Sequence, residues 1–391
     1  MPQTTTVIIV LHLCAIVLSL NSNFINKLQI GPFNLKKLIV EESFSNSYDD
    51  DNNTFSILSW NVLAQSLARS EMHPHVEKGM LKEKLRIPLL VEILKNYNSD
   101  IMCLQEVDML NTLDDLLLKV KGYEYIYVQK TSGKKDGCLI CYKTKKFLLE
   151  RYITVKYGIT LMDGVGIICS LKALNSTNNK SLILGNTHLF WKPNHESVRL
   201  RQLQLFVKQI DKFKEENSDN DDSVIIVGDM NSKPDASVTK VLLGENVPLP
   251  LCKTPIGGKT RFGADLMLEE IEKNSMMKKQ QEDGNNNINN EIVSLSNNLK
   301  GLRSVFGIYK KLCPEDQLND SGDQQVSLHP SFTTYSYGFA GCIDWMFCST
   351  NLKTTALWQL PNEKECKIHI ALPNSHFPSD HLPLCAKLKF K

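Results

Sequence analysis

Apolar and polar positions alternate in short bursts along most of the chain, and the period of alternation switches repeatedly between that of a strand and that of a helix. Phe55 to Trp60 (FSILSW) alternates as a strand does. In Leu85 to Tyr97 the residues Leu85, Leu89, Leu90, Ile93, Leu94 and Tyr97 fall on one helical stripe, and Ile101 to Leu104 then reads as a short buried strand. Tyr123 to Val128, Leu139 to Tyr142, Val165 to Leu171, Leu182 to Asn186 and Val224 to Val227 are further strand-like runs, bounded by Gly, Lys, Asn or Asp. Between the last two, Val198 to Phe213 sets Leu200, Leu203, Phe206, Val207, Ile210 and Phe213 at helical spacing. Strands return at Ile343 to Phe347 and Leu384 to Phe390. They outnumber the helices and interleave too irregularly for a Rossmann or barrel layout. The pattern therefore predicts two stacked sheets with helices outside.

Three stretches break the pattern. Val7 to Leu20 (VIIVLHLCAIVLSL) is an uncharged apolar run of signal-peptide length, short for a membrane span. Residues 1–22 are thus expected to be a signal peptide, an anchor or another targeting segment. The absence of arginine before Arg69 fits a mitochondrial presequence poorly. Residues 23–53, ending in the acidic SNSYDDDNN, read as a linker, and a single domain is expected over 54–391. Gly244 to Leu302, with the tract DGNNNINNE, reads as a polar surface insertion.

A chain of 391 residues, 42% hydrophobic and 23% charged, can bury a large core, and a net charge of +2 excludes both a polybasic RNA coat and an acidic solvating protein. Nucleic acid would have to bind a local basic site. Eleven cysteines without dense spacing argue for buried thiols rather than a disulfide scaffold. Cys138 and Cys141 do form a C-x-x-C, but strand alternation sends them to opposite faces and no second pair follows at zinc spacing.

The candidate chemistry lies where strands should end. SWN (Ser59 to Asn61), LQEV (Leu104 to Val107), NTHL (Asn186 to Leu189), GDMN (Gly228 to Asn231) and SDH (Ser379 to His381) each place a polar side chain at a strand terminus, and IDW (Ile343 to Trp345) embeds an acid in an apolar strand. Singly, Glu106 could be a surface acid, His188 a loop histidine, Asn61 a turn residue and Asp344 a lysine partner. Together they can be aimed by rigid sheets into one cleft. Glu106, Asn61, Asp229 and Asn231 supply oxygen donors suited to Mg²⁺, without a Cys or His cluster for zinc. Asp344 beside His381 could hold an imidazolium against a phosphate.

The order and wording of these signatures resemble the endonuclease, exonuclease and phosphatase superfamily, and within it the deadenylase branch of nocturnin, Angel, Ngl exonucleases and 2′,5′-phosphodiesterase. SWNVLAQSLARS, DIMCLQEVD, KKDGCLICYK, NTHLFWKP, VIIVGDMNSKP and FPSDHLPL carry the resemblance, from about Thr54 to Lys391 outside the insertion. It implies a four-layered α/β sandwich. It also implies Glu106 as the main Mg²⁺ ligand (Mn²⁺ a possible substitute), Asn61 and Asn231 arranging metal and phosphate, and Asp229 as general base and further metal neighbour. His188 and His381 would contact the scissile phosphate, the latter held by Asp344. Met230 stands where the family usually has Phe and is expected to pack under the loop.

The expected function is Mg²⁺-dependent 3′→5′ exoribonucleolytic cleavage of adenylate-rich RNA 3′ ends, in cytoplasm or mitochondrion. Alternatives are a 2′,5′-oligoadenylate phosphodiesterase, a phosphatase for a nucleotide cofactor, a secreted phosphodiesterase and a catalytically silent RNA-binding protein. The last predicts a lost metal or base position, and all are present. Lys192, Arg199 and Trp191 are candidate substrate contacts, together with Asn231, and Lys134 and Lys135 a further basic pair. No leucine-rich array precedes the domain, which argues against docking on a large deadenylase scaffold.

Overall fold

The structure is a computed structural model that describes residues 35–40, 53–77, 79–158, 161–174, 176, 180–216, 222–249, 292–296, 299–316 and 327–391. Its strands, in chain order, are β1 (Lys37–Ile39), β2 (Thr54–Asn61), β3 (Ile101–Val107), β4 (Tyr123–Gln129), β5 (Gly137–Lys143), β6 (Phe147–Lys156), β7 (Val165–Ala173), β8 (Ser181–His188), β9 (Ser223–Asp229), β10 (Val247–Pro248), β11 (Ile292–Val293), β12 (Arg303–Ser304), β13 (Thr334–Ser336), β14 (Phe339–Gly341), β15 (Asp344–Cys348), β16 (Leu352–Trp358) and β17 (Leu384–Phe390). Two large sheets result, one ordered β1-β16-β17-β2-β3-β5-β4 and the other β12-β15-β9-β8-β7-β6.

Apolar side chains on both faces of each central strand dictate the layering. Phe55, Ile57, Ile101, Cys103, Ile140, Ile167, Leu184, Ile225 and Met346 meet between the sheets. On the outer face of the first sheet, Leu90, Ile93 and Leu94 of helix Glu83–Tyr97 cover Leu58, Trp60, Met102 and Leu104. On the outer face of the second, Leu203, Phe206, Ile210 and Phe213 of helix Glu196–Glu215 cover Ile168, Ile183 and Ile226. This is a four-layered α/β sandwich.

Each sheet has one parallel pair among antiparallel neighbours: β2 with β3, and β8 with β9. Parallel strands need a crossover, and the two long helices supply it. Consequently Asn61, Glu106, His188 and Asp229, all at C-terminal strand ends, come to the same edge of the sandwich.

Several expectations need correction. The stretch read as a linker contributes β1, which pairs antiparallel with β16, because Leu38 has an apolar place in the core between the sheets. The ends of the expected insertion belong to the domain: β10 pairs with β11, and Val293, Leu295, Leu299 and Leu302 are buried in the cluster under helix Glu196–Glu215. The intervening 250–291 and the apolar run at 7–20 lie outside the described residues. Among those described, no helix is long and apolar enough to cross a membrane. Cys138 and Cys141 do fall on opposite faces of β5, and the nine described cysteines are free and buried.

Candidate active site

Local backbone geometry aims the polar strand ends. The register of β3 slips between Leu104 and Val107, and Glu106 sits inside that bulge at φ +58°, in the left-handed region that a bulge uses to re-aim a side chain. Asn231, at φ +47°, makes the corresponding turn after β9. Gly228 lies between them in role: at φ +147°, any Cβ there would come within 1.8 Å of the Thr187 carbonyl oxygen, so only glycine lets β9 run flush against β8 and deliver Asp229.

One oxygen is the hub. Asp229 Oδ2 accepts from Asn61 Nδ2 at 3.0 Å, and lies 3.5 Å from His188 Nε2 and 3.7 Å from His381 Nε2. Its other oxygen accepts from the Asn231 backbone N–H at 3.0 Å. Asn61 Nδ2 also donates to Glu106 Oε1 at 3.0 Å, while Glu106 Oε2 accepts from the Ala64 N–H at 3.1 Å. The Asn231 side chain donates to the Leu189 carbonyl at 3.0 Å, which ties the turn to the end of β8.

Burial, then the neighbouring Asp344 charge, push the Asp229 carboxyl up to about 7, despite the opposing influence of His381 and two hydrogen bonds. The two histidines diverge. Burial, then Lys130, hold His188 well below its usual value, so it is neutral at neutral pH. Lys130 Nζ approaches His188 Nδ1 at 3.5 Å and can only donate, which assigns the ring proton to Nε2, facing Asp229. His381 is the opposite case. Burial disfavours its charge, but Asp344 and Asp229 override that and raise it well above the ordinary histidine value. Its Nδ1 meets Asp344 Oδ2 at 2.8 Å across 37 positions of sequence. Thr333 Oγ1 donates to the same carboxylate oxygen at 2.6 Å and accepts the Asp344 and Ile343 N–H groups, which fixes the acid in place. The imidazolium therefore presents Nε2–H to the centre.

Of the other expected contacts, Trp191 is 64% exposed and Lys192 Nζ lies 5.8 Å from its ring centroid, so both face solvent beside the His188 strand end. Arg199 does not. It is buried, and its guanidinium donates to the carbonyls of Phe190, Lys192 and Pro193, so it braces the loop that carries Trp191 instead of reaching substrate. Lys134 is likewise committed, to the Met162 carbonyl at 3.2 Å. Met230 is fully buried under the Asp229 turn.

Sequence reasoning singles out neither Lys130 nor Asp380. Lys130, just past β4, pairs with Asp136 at 2.5 Å and its charge reaches both Glu106 and His188. Asp380 stood inside the SDH signature. It faces Glu106, whose carboxyl is raised by burial and then, against Lys130, by the Asp380 charge.

Two groups could hold a cation. Asp229, Asp344 and His381 bring ligand atoms within 4.8 Å of one another. His381, however, spends Nδ1 on Asp344 and is held protonated, which makes that trio a charge-paired cluster. Glu106 is the better anchor: a hard, buried carboxylate whose charge burial and the Asp380 charge both disfavour, joined to Asp229 through the Asn61 amide nitrogen while the Asn61 oxygen accepts the Leu63 N–H. A divalent ion there relieves both.

Residues 58–381 match the family described as Endonuclease/Exonuclease/phosphatase family. Over 382 residues the chain is 26% identical to carbon catabolite repressor protein 4 homolog 4 of Arabidopsis thaliana, covering 86% of this chain and 78% of that protein. It is 24% identical to the CCR4-Not complex 3′-5′-exoribonuclease subunit Ccr4 of Schizosaccharomyces pombe over 91% of this chain, but spans only 52% of that protein. Among solved structures, ANGEL2, described as a 2′,3′-cyclic phosphatase and bound to adenosine-2′,3′-vanadate, shares the fold with a TM-score of 0.68 and 23% identity, covering 92% of this chain and 99% of that one. With the layered fold and the convergent strand ends in place, the match across residues 58–381 makes the chain a member of the Endonuclease/Exonuclease/phosphatase family.

Proposed function

We propose that this protein is a divalent-metal-dependent phosphodiesterase that shortens RNA from the 3′ end, with adenylate-rich ends as substrate and Mg²⁺ as its ion, replaceable by Mn²⁺. The observation that carries the proposal is the hub at Asp229 Oδ2: a carboxylate whose proton affinity lies near neutrality, faced by a neutral N–H donor and a cationic one. That combination serves a reaction that takes a proton from water while negative charge gathers on phosphate. The kinship with a 3′-5′-exoribonuclease subunit supports the choice of substrate.

Glu106, bonded to Asn61, would hold the ion with Asn231 and Asp380 arranging the phosphate around it; when bound, the ion neutralises phosphate oxygens and steadies the leaving oxygen. The chain's own residues do the rest. Asp229 accepts a proton from water as the water oxygen bonds to phosphorus. The bond from phosphorus to the upstream 3′ oxygen breaks, and the terminal nucleotide leaves as a 5′-monophosphate. His381, protonated through Asp344, and neutral His188 each donate Nε2–H to the non-bridging oxygens. Lys130 keeps His188 in the right tautomer, and exposed Trp191 and Lys192 offer a base platform and a positive charge at the rim. On this reading the enzyme works inside the cell, in cytoplasm or mitochondrion.

A second reading keeps the centre and changes the bond: opening of a 2′,3′-cyclic phosphate at the same RNA end, the activity in the description of ANGEL2. One panel separates the readings. The full chain is incubated with 3′,5′-oligoadenylate, 2′,5′-oligoadenylate and RNA ending in a 2′,3′-cyclic phosphate, and the products are resolved. Release of 5′-AMP from the first supports the proposal; conversion of the third alone selects the second reading; no turnover of any refutes both.

A further inference from the structure

Beside the catalytic cleft lies an open cavity of about 560 Å³, lined by His75, Lys367, Ile368, His369 and Ile370. The cavity and the cleft share a frame. Thr334 of β13 bridges to His381, the Tyr335 N–H donates to the Asp380 carbonyl at 3.0 Å, and the Leu372 N–H donates to the Tyr335 carbonyl at 2.9 Å. Tyr337, one residue beyond β13, stacks on His75 with ring centroids 5.7 Å apart and planes 8° from parallel.

The lining has a specific chemistry. Ile368 and Ile370 are 48% and 62% exposed, an apolar surface set among a lysine and two imidazoles. Ile370 holds φ +78°, a conformation that a β-branched residue adopts only when its surroundings dictate it. The ring nitrogens of His75, and those of nearly fully buried His73, are shut away from solvent and have no hydrogen-bond partner. His73 also lies close enough to Asp380 for that charge to act on it, which ties this corner to the cleft. Buried unpartnered nitrogens of this kind are rare in folded proteins and call for a ligand or ordered water.

We propose that this cavity is a subsite for a further nucleotide of single-stranded RNA, beyond the two that flank the scissile bond. The base lies on the face of Tyr337 turned away from His75 and against Ile368 and Ile370, and its phosphate lies toward Lys367, which Glu363 holds in place at 2.6 Å. A flat ring covers the exposed isoleucines and the open face of Tyr337, which is what a nucleobase offers and a carboxylate side chain does not. The inference rests on the phosphodiesterase reading and adds to it a length preference.

The test compares the full chain with Tyr337→Ala on oligoadenylates from dinucleotide to hexanucleotide. Tyr337 is 59% exposed, so its removal should leave the melting temperature unchanged. Stacking of one base predicts a loss in kcat/KM of about fivefold to 150-fold on the longer substrates, carried by KM, with the dinucleotide unaffected. Equal rates at every length, or an equal loss on the dinucleotide, overturn the subsite. If the parent chain cuts none of them, the catalytic reading fails by itself. Anisotropy of labelled hexaadenylate on Glu106→Gln then decides the subsite separately: weaker binding by the same factor in Tyr337→Ala upholds it, and unchanged binding overturns it.

Discussion

Replacing Asp344 with asparagine should slide the whole pH–activity profile toward acid instead of lowering its height alone. The acid limb follows Asp229, which must be ionised to accept a proton and whose carboxyl burial and the Asp344 charge push up to about 7. The alkaline limb follows His381, which must stay protonated and which Asp344 and Asp229 keep so against burial. The substitution removes one negative charge from both. His381 loses a partner at 2.8 Å. At an effective dielectric of about 20 that attraction is about 6 kcal/mol, a ceiling because an amide oxygen still accepts the bond. Oppositely charged groups this close shift a pKa by about 1–3 units, so the alkaline limb should fall by about 1–3 pH units. Asp229, freed of a like charge, should also ionise earlier, but by less, since burial is its larger cause. The stability sign agrees. A raised histidine stabilises the fold below its unfolded value of about 6.5, and that contribution disappears as pH rises through the folded value. The assay is kcat/KM on oligoadenylate from about pH 5 to about pH 10. A profile scaled down with both limbs in place would refute the coupling.

Three further outcomes follow from the packing. Lys130→Met strips a buried partner from Asp136 and should cost about 3–5 kcal/mol in urea unfolding, while raising the His188 pKa read by NMR; unchanged values of both would show that the pair at 2.5 Å is idle. Gly228→Ala sets a Cβ against the Thr187 carbonyl oxygen, so β8 and β9 must part; we expect about 2–4 kcal/mol of lost stability and displaced Asp229 with little turnover. Leu295→Ala should cost about 2–5 kcal/mol, since this residue is core, and a melting curve identical to the parent would mean that 292–302 is dispensable after all.

The sequence was most readable where both faces of a strand are buried. β3, β5, β8 and β9 are near-continuous apolar runs, and helix Glu196–Glu215 carries an unbroken stripe. β6 was not readable: between Phe147 and Val155 every side chain is at least partly exposed, so there is no buried face to alternate with a polar one. β16 mixes Lys353, Thr354 and Thr355 with a bulge, which interrupts its period. The site shows the same division. Asn61, Glu106, His188 and Asp229 sit at the ends of legible strands, so they could be found from position. Lys130 could not, because its importance comes from Asp136 six residues on and His188 far along the chain, and one lysine after YVQ has no periodicity to mark it. Arg199 misled for a related reason. A positive residue opening an amphipathic helix suggests substrate contact, whereas three carbonyls of the preceding loop claim it.

The most direct measurement is the shortening of 5′-labelled oligoadenylate by the full chain with Mg²⁺, with chelator, and with Glu106→Gln. That variant keeps the size of the side chain but removes the charge that, on the proposed reading, would hold the ion. The account predicts a ladder retreating one nucleotide at a time from the 3′ end, abolished by chelator and slowed more than about a hundredfold in Glu106→Gln at an unchanged melting temperature. Shortening that persists at the parent rate in Glu106→Gln, or that ignores the chelator, would contradict it.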